Sequence, residues 1–156
     1  MTNKSSSDKN TVAINRRAYH NFEIHETYEA GLVLLGTEVK ALRQGLASIG
    51  ESYAVDENGE LWLRNAHIAE YVPANRLNHE PTRPRKLLVK RRELNKLLGA
   101  IQREGMTIIP LRVYFNSRGR AKVAIGLARG RKLYDKRQKM KEKDWKMSRA
   151  RILRNR

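Results

Sequence analysis

Cysteine is absent from this chain of 156 residues, which excludes disulfides, thiolate catalysis and cysteine-ligated metal sites together. No apolar run approaches the roughly 18 residues that a membrane-spanning helix needs. The polar N-terminus, MTNKSSSDKNT, lacks the apolar segment of a secretion signal. These absences suit a reducing compartment, so we expect a cytoplasmic protein.

Motifs of the common catalytic and cofactor sites are also missing. There is no HExxH, no GK[ST] phosphate loop, no GxGxxG and no GxSxG nucleophile elbow. The four histidines lie far apart in the sequence: His20, His25, His67 and His79. A metal-dependent nuclease using Glu29 and Glu38 stays open in principle, although no paired-carboxylate spacing supports it. We predict no enzyme, no metal site and no cofactor.

Acidic residues are scarce, since 16 Asp and Glu stand against 33 Lys and Arg, for a net charge of +17. Such an excess of cations predicts a polyanionic partner, because binding to phosphates releases condensed counterions. Nucleic acid is favoured over an anionic membrane, since the most basic segment lacks the broad apolar face of an interfacial helix.

The excess is concentrated at the C-terminus. From Arg129 onward, thirteen basic residues and three acidic ones give +10 of the net +17. A segment this charged buries too little apolar surface to order itself, although its good helix formers would let a counter-charged surface fold it. We predict a disordered N-terminus over residues 1–13, a nucleic-acid-binding domain over 14–129, and a basic tail over 130–156 that becomes helical on its partner.

The first half of the domain combines strand and helix signals. Apolar alternation predicts a strand over residues 21–35. Thr37 suits the N-cap and Gly45 the C-terminal stop of a short helix. On that helix Lys40 and Arg43 form a basic pair, which is either an RNA contact or an ordinary solvated face.

A hairpin and a proline-rich segment follow. Alternating apolar residues flank Asn58 and Gly59, which predicts a tight β-turn. Three of the four prolines lie in the next stretch, YVPANRLNHEPTRPR, which we predict to be an extended loop. Its basic residues, with the adjoining Lys86, form either a solubilising linker or a phosphate contact: Arg76, Arg83, Arg85 and Lys86.

The second half begins with an amphipathic helix. Its apolar residues fall at i, i+3, i+4 and i+7: Leu94, Leu97, Leu98 and Ile101. Gly105 ends it, and a hairpin follows over residues 107–128, in which Pro110 implies an edge or a bulge. Ala124 and Gly126 would leave its outer face open. We predict a mainly β fold, a small antiparallel five-stranded oligonucleotide-binding-type barrel with two or three flanking helices.

Several blocks of sequence occur together in a recognisable order: NRRAYHNFEI, EAGLVLLGTEVKALRQG, HEPTRPRKLL, RRELNKLLGAIQREG and KVAIGLARGRKLYDKRQKMKEKDW. From about Ile14 to its end, the chain thereby resembles the small protein B family, the bacterial tmRNA-binding proteins of trans-translation. Each block alone is a weak signal, whereas the ordered set is specific.

The resemblance implies a barrel protein without catalytic activity. Members bind the tRNA-like domain of tmRNA and help its alanyl form enter the vacant A site of a ribosome stalled on truncated message. The implied partners are tmRNA, the small-subunit rRNA at the A site and mRNA channel, and elongation factor Tu, with no membrane and no cofactor.

The resemblance also implies contact residues. Three side chains fall on tmRNA-contact positions of the family: Glu29, Leu88 and Lys122. A carboxylate can accept from exposed base edges, while lysine neutralises phosphate. On sequence alone, Leu88 reads instead as a core leucine. The tail matches the family's decoding-region element and continues with further expected ribosome contacts: Asp135, Lys136, Arg137, Lys139, Lys141, Lys143, Trp145, Arg149, Arg151, Ile152 and Leu153.

One alternative of another class stays open. Composition alone is equally typical of a ribosomal or ribosome-assembly protein whose basic tail is a permanent rRNA anchor. Preference for free tmRNA over bulk rRNA would separate the two functions.

Overall fold

The computed structural model describes residues 10–131, 141 and 143–150 of the chain. The strands are β1 (Thr11–Ile14), β2 (Phe22–Leu32), β3 (Ala47–Ser48), β4 (Tyr53–Glu57), β5 (Glu60–Arg64), β6 (His67–Ile68), β7 (Arg85–Leu88), β8 (Thr107–Phe115) and β9 (Ala121–Gly130). The α-helices are α1 (Ala18–Asn21), α2 (Gly36–Arg43), α3 (Arg91–Glu104) and α4 (residues 143–150). A 3-10 helix covers Val72–Leu77.

Six strands close into an antiparallel ring in the order β8-β4-β5-β7-β2-β9, with β9 pairing back onto β8. Strand β1 extends the sheet beyond β8, and β3 pairs with β6 in a separate ribbon. The predicted mainly β antiparallel barrel is confirmed. The expected count of five strands is wrong, because β7 lies in a stretch without apolar alternation and closes the ring between β5 and β2.

The barrel interior and the two longer helices share one apolar core. Leu42 of α2 and Leu97 of α3 belong to the same buried cluster as interior residues from every strand of the ring, among them Ala30, Leu63 and Val123. The predicted α3 is confirmed, and Gly105 ends it in the left-handed conformation, with a φ of 61°. Glycine suits that position because it adopts positive φ without steric cost.

The hairpin between β4 and β5 turns at Asn58 and Gly59, as predicted, with φ of 54° and 79°. Positive φ at both positions is typical of a type I′ turn. The short helix α2 follows Leu35 rather than the predicted N-cap Thr37, and Gly45 has the positive φ of 73° expected at a helix stop.

A β-bulge between Pro110 and Arg112 changes which side chains of β8 face the core. Before the bulge Ile108 points into the barrel and Ile109 points out, where it packs with Leu111 and α1 in a second apolar cluster. That cluster also covers Gly126, so the predicted open outer face at Gly126 is wrong. The outer face of the hairpin is open only beyond this cluster, toward the turn.

Candidate nucleic-acid interface

A row of outward-facing positions crosses four neighbouring strands near the open end of this face. Tyr114 of β8 pairs with Lys122 of β9, Lys122 pairs with Gly31 of β2, and Gly31 pairs with Leu88 of β7. Directly paired residues share one face of a sheet. Glu29 precedes Gly31 by two positions and therefore joins the same face. We call these five residues the outer row.

The neighbours of the outer row show that it faces outward. Val113, Val123, Ala30 and Leu87 alternate with it along the four strands, and all four are buried in the core. The structure thus brings together, on one surface, the three residues that family resemblance placed at RNA contacts. No sequence pattern predicted this convergence, because it depends on the register of three strand pairs.

The charged groups of the outer row differ in how they are held. Glu29 accepts a hydrogen bond from the hydroxyl of Tyr114 through one carboxylate oxygen, Oε2. Within the part of the chain that the structure describes, Lys122 has no ion pair or hydrogen-bond partner for its ammonium group. The row therefore offers one oriented carboxylate and one available cation on the same face.

Leu88 is an exposed residue of the outer row, with 51% of its surface accessible, whereas its neighbour Leu87 is 3% exposed. The interpretation of Leu88 as a core leucine is wrong, because the β7 register turns Leu87 inward instead. A Cβ added to Gly31 would lie 3.3 Å from the Cβ of Leu88. Because Gly31 has no side chain, the sheet surface between Leu88 and Lys122 is unoccupied.

The two leucines give a matched stability test. We expect Leu87→Ala to lower the free energy of unfolding by about 2–5 kcal/mol, because it leaves a cavity in the core. Leu88→Ala should change it by only about 0.5 kcal/mol, since its side chain has little packing to lose. Urea unfolding of the two variants measures the difference, and a larger loss for Leu88→Ala would contradict this placement.

The basic segment before β7 is largely built into the fold. Glu38 and Arg85 are both 0% exposed, and Arg85 Nε donates to Glu38. Arg85 also donates to the backbone oxygens of Ala66, at 2.7 Å, and Pro81, at 3.0 Å. Its guanidinium therefore has no surface to offer a phosphate, which corrects the sequence-based expectation of an RNA contact at Arg85.

Glu38 is the acceptor at the centre of this buried cluster. It also accepts from Arg83 Nη2 and from the backbone N–H of Leu35, the latter at 2.8 Å. Burial alone would raise the pKa of Glu38, but hydrogen bonds from Arg83, Leu35 and Arg85 outweigh it and lower that pKa. An ionised, fully enclosed carboxylate of this kind is a structural group and is unsuited to hold a catalytic metal.

The remaining basic candidates are exposed or half-buried. Lys40 of α2 lies 5.5 Å from the ring centre of Tyr71, and Arg43 lies 5.9 Å from that of Phe115. Both are surface residues with cationic groups available to an anion. Lys86 of β7 donates to Glu60 at 3.0 Å, an ion pair at the surface that water and salt would weaken.

Part of the tail is helical. Lys141, Lys143, Trp145 and Arg149 are exposed, and the guanidinium of Arg149 lies 5.4 Å from the ring centre of Trp145, one turn along α4. The other predicted tail contacts lie outside the described residues: Asp135, Lys136, Arg137, Lys139, Arg151, Ile152 and Leu153.

The residues whose placement the structure gives contain neither a cluster suited to a metal ion nor a helix suited to span a membrane. Among them, no three His, Asp or Glu side chains are grouped so that they could hold a metal ion. None of their helices has both the length and the apolar character needed to cross a bilayer.

Comparisons with known proteins agree with this architecture. A family model described as SmpB protein matches residues 12–155. An SsrA-binding protein of Sinorhizobium medicae (strain WSM419) is 60% identical over 148 residues, covering 95% of this chain and 93% of the relative. One from Afipia carboxidovorans (strain OM5) is 55% identical over 156 residues, covering 100% and 99%.

A solved structure is similar as well. A chain described under "tmRNA-SmpB: a journey to the center of the bacterial ribosome" superposes with a TM-score of 0.64 and is 52% identical. The match covers 77% of this chain and 84% of that chain.

Proposed function

The chain belongs to the SmpB protein family, and on that basis we propose that it binds the tRNA-like domain of tmRNA and delivers it to the A site of stalled ribosomes. In this role it rescues the ribosome and allows the nascent peptide to be tagged by trans-translation. It acts in the cytoplasm as a binding protein without catalytic activity or cofactor, and it works alongside elongation factor Tu.

The observation that carries this proposal is the outer row. On one face of the barrel it combines the oriented carboxylate of Glu29, the exposed Leu88 and the available Lys122. Gly31 lies among them without a side chain. Single-stranded and loop regions of RNA present unstacked bases whose edges donate hydrogen bonds and whose faces pack on apolar groups. We propose that Glu29 reads a base edge, Leu88 packs against a base or sugar, and Lys122 neutralises a phosphate.

Other cationic side chains would contact the phosphate backbone of the RNA without contacting its base edges. Lys40, Arg43, Lys86 and the half-exposed Arg83 contribute positive charge that positions the phosphate backbone. We leave Arg85 out of the contact set because it is enclosed in the protein. The tail acts on the ribosome instead: Asp135, Lys136 and Arg137 engage the decoding region, and residues 139–154 form a helix in the empty mRNA channel.

Substitutions of the two charged residues of the outer row should change tmRNA binding in different ways. Glu29→Gln should weaken tmRNA binding by about tenfold without changing its salt dependence, because it removes a charged acceptor for a base but no phosphate contact. Lys122→Ala should lower the slope of log K against log salt by about 0.7–0.9, since one phosphate loses its cation. Fluorescence-anisotropy titrations at several salt concentrations measure both quantities.

Lys96→Ala is the control for general loss of charge, because Lys96 lies on α3 and is paired with Glu26 at 2.9 Å. Its salt slope should stay near that of the parent. If folded Glu29→Gln and Lys122→Ala proteins both bound tmRNA like the parent, the site would be assigned wrongly. Equal binding of the parent to tmRNA and to bulk rRNA fragments would favour an rRNA-anchored ribosomal protein.

A further inference from the structure

Tyr114 lies beneath Glu29 at the end of the outer row, where family resemblance identified no residue. The tyrosine is 9% exposed, and its hydroxyl donates to Oε2 of Glu29. The other carboxylate oxygen, Oε1, has no hydrogen-bond partner within the residues that the structure describes. The carboxylate of Glu29 is therefore fixed through Oε2, while Oε1 is available to a ligand.

The ring of Tyr114 is fixed in turn by Arg112, which follows the bulge of β8 on the same outer face. The guanidinium carbon of Arg112 lies 4.3 Å from the ring centre, and Nη1 donates to Thr11 Oγ1 of β1 at 3.2 Å. A guanidinium stacked at this distance is attracted by the electrons of the ring. Thr11 of β1 thus restrains Arg112, and Arg112 restrains the ring of Tyr114. The hydroxyl of Tyr114 in turn restrains the carboxylate of Glu29.

The hydroxyl of Tyr114 has a raised pKa, which suits a group that must always donate a hydrogen bond to Glu29. Burial, followed by the hydrogen bond to Glu29, raises the pKa of Tyr114 to about 12, although Arg112 opposes the shift. The hydroxyl consequently keeps its proton throughout the neutral range.

We infer that Tyr114 is a positioning residue for RNA recognition, because it fixes the Glu29 carboxylate with Oε1 directed at the bound nucleotide. This inference rests on the proposed function and adds the residue that makes Glu29 selective. A carboxylate held in one orientation accepts from a correctly placed amino or imino group without first losing side-chain freedom. The ligand at this point is a donor edge of an unstacked nucleobase.

A second tyrosine on the same barrel provides the contrast. Tyr28 of β2 also donates its hydroxyl to a glutamate, Glu26. Lys96 engages both oxygens of that carboxylate, at 3.1 Å from Oε1 and 2.9 Å from Oε2. Glu26 is thus satisfied by the protein, whereas Glu29 keeps one oxygen for a ligand.

The test compares Tyr114→Phe with Tyr28→Phe in anisotropy titrations with tmRNA. Tyr114→Phe should weaken binding by about five- to tenfold at every salt concentration, with an unchanged salt slope, because it removes an orienting hydrogen bond and no charge. Tyr28→Phe should bind like the parent. Both variants keep the aromatic ring, and a thermal unfolding curve confirms that each remains folded.

A double-mutant cycle separates positioning from general damage. In a Glu29→Ala background, Tyr114→Phe should have no further effect on binding, since nothing is left to orient. Independent losses that multiply in the double variant, parental affinity of Tyr114→Phe, or an equal loss in Tyr28→Phe would each overturn the inference. If the parent itself showed no preference for tmRNA over rRNA fragments, the proposed function would fail, and the inference with it.

Discussion

Replacing Glu38 with alanine should lower the free energy of unfolding by about 3–5 kcal/mol, because it leaves the guanidinium of Arg85 buried without its counter-charge. Glu38 and Arg85 are both fully enclosed, so water cannot take over the lost contact. The same substitution removes the acceptor for the Leu35 amide at the start of α2. Urea unfolding at pH 7, followed by tryptophan fluorescence, measures the loss.

Glu60→Ala is the matched control, since Glu60 also accepts from a basic residue of β7 but is 46% exposed. It should cost no more than about 1 kcal/mol. Combining Glu38→Ala with Arg85→Met should cost less than the sum of the two single changes, because neither charge then remains unpaired. Strict additivity, or a Glu60→Ala loss as large as that of Glu38→Ala, would contradict the buried pairing.

The stabilising effect of Glu38 depends on pH in a defined direction. Its pKa in the folded protein lies below the ordinary value of 4.5, so the folded state favours the ionised form. The associated stability is fully present above about pH 4.5 and is lost as the pH falls through the lowered pKa. The difference in stability between the parent and Glu38→Ala should therefore shrink below pH 4.5, and a constant difference would exclude this origin.

The buried ion pair also explains why part of the fold escaped sequence analysis. Strand β7 is short and begins with Arg85, whose side chain points inward. Apolar alternation identifies a strand only when its inward residues are apolar, so a charged inward residue makes this strand resemble a loop. Its partner Glu38 lies 47 positions away in the chain, and no local pattern connects the two.

Segments whose structure depends on local signals were predicted well. Helix α3 has an uninterrupted apolar stripe and a glycine stop, and the turn at Asn58 and Gly59 requires residues that tolerate positive φ. The direction of side chains was predicted less well. Leu88 was interpreted as a core leucine, yet it is 51% exposed and Leu87 points inward, because the pairing of β7 with β5 decides which of the two leucines faces the core.

The candidate site likewise combines positions that the sequence identified with an arrangement that only strand pairing determines. Family resemblance supplied Glu29, Leu88 and Lys122 as separate positions, while register placed them in one row. Tyr114 and Arg112 were missed because their role depends on facing β9 and β2 across the sheet after a bulge. The available sequence signal was Pro110, which implied a bulge or an edge but gave no indication of which side chains it would direct outward.

The tail gives the prediction with the largest functional effect. Ending the chain after Arg137 should abolish peptide tagging on stalled ribosomes while leaving tmRNA affinity within about twofold at physiological salt, because in the proposed function the barrel selects the RNA and the tail engages the ribosome. The deleted residues 138–156 carry eight basic and two acidic side chains, so +6 of the net +17 is removed. If binding depended only on total charge, tmRNA affinity would fall steeply, since each lost phosphate contact weakens it in a salt-dependent way. Filter binding with tmRNA and a reconstituted tagging assay measure the two effects separately.

A chain whose residues 138–156 are shuffled, with composition unchanged, is the matched control for charge. It preserves every cation but breaks the one-turn spacing that places Arg149 over Trp145 on α4. We expect it to bind tmRNA like the parent and to tag poorly, because the helix that we propose in the mRNA channel would have to present its side chains in order. Message extending through the channel should inhibit the parent for the same reason, since message and helix would occupy one anionic tunnel. Normal tagging by the truncated or the shuffled chain would show that the tail has no sequence-specific function on the ribosome.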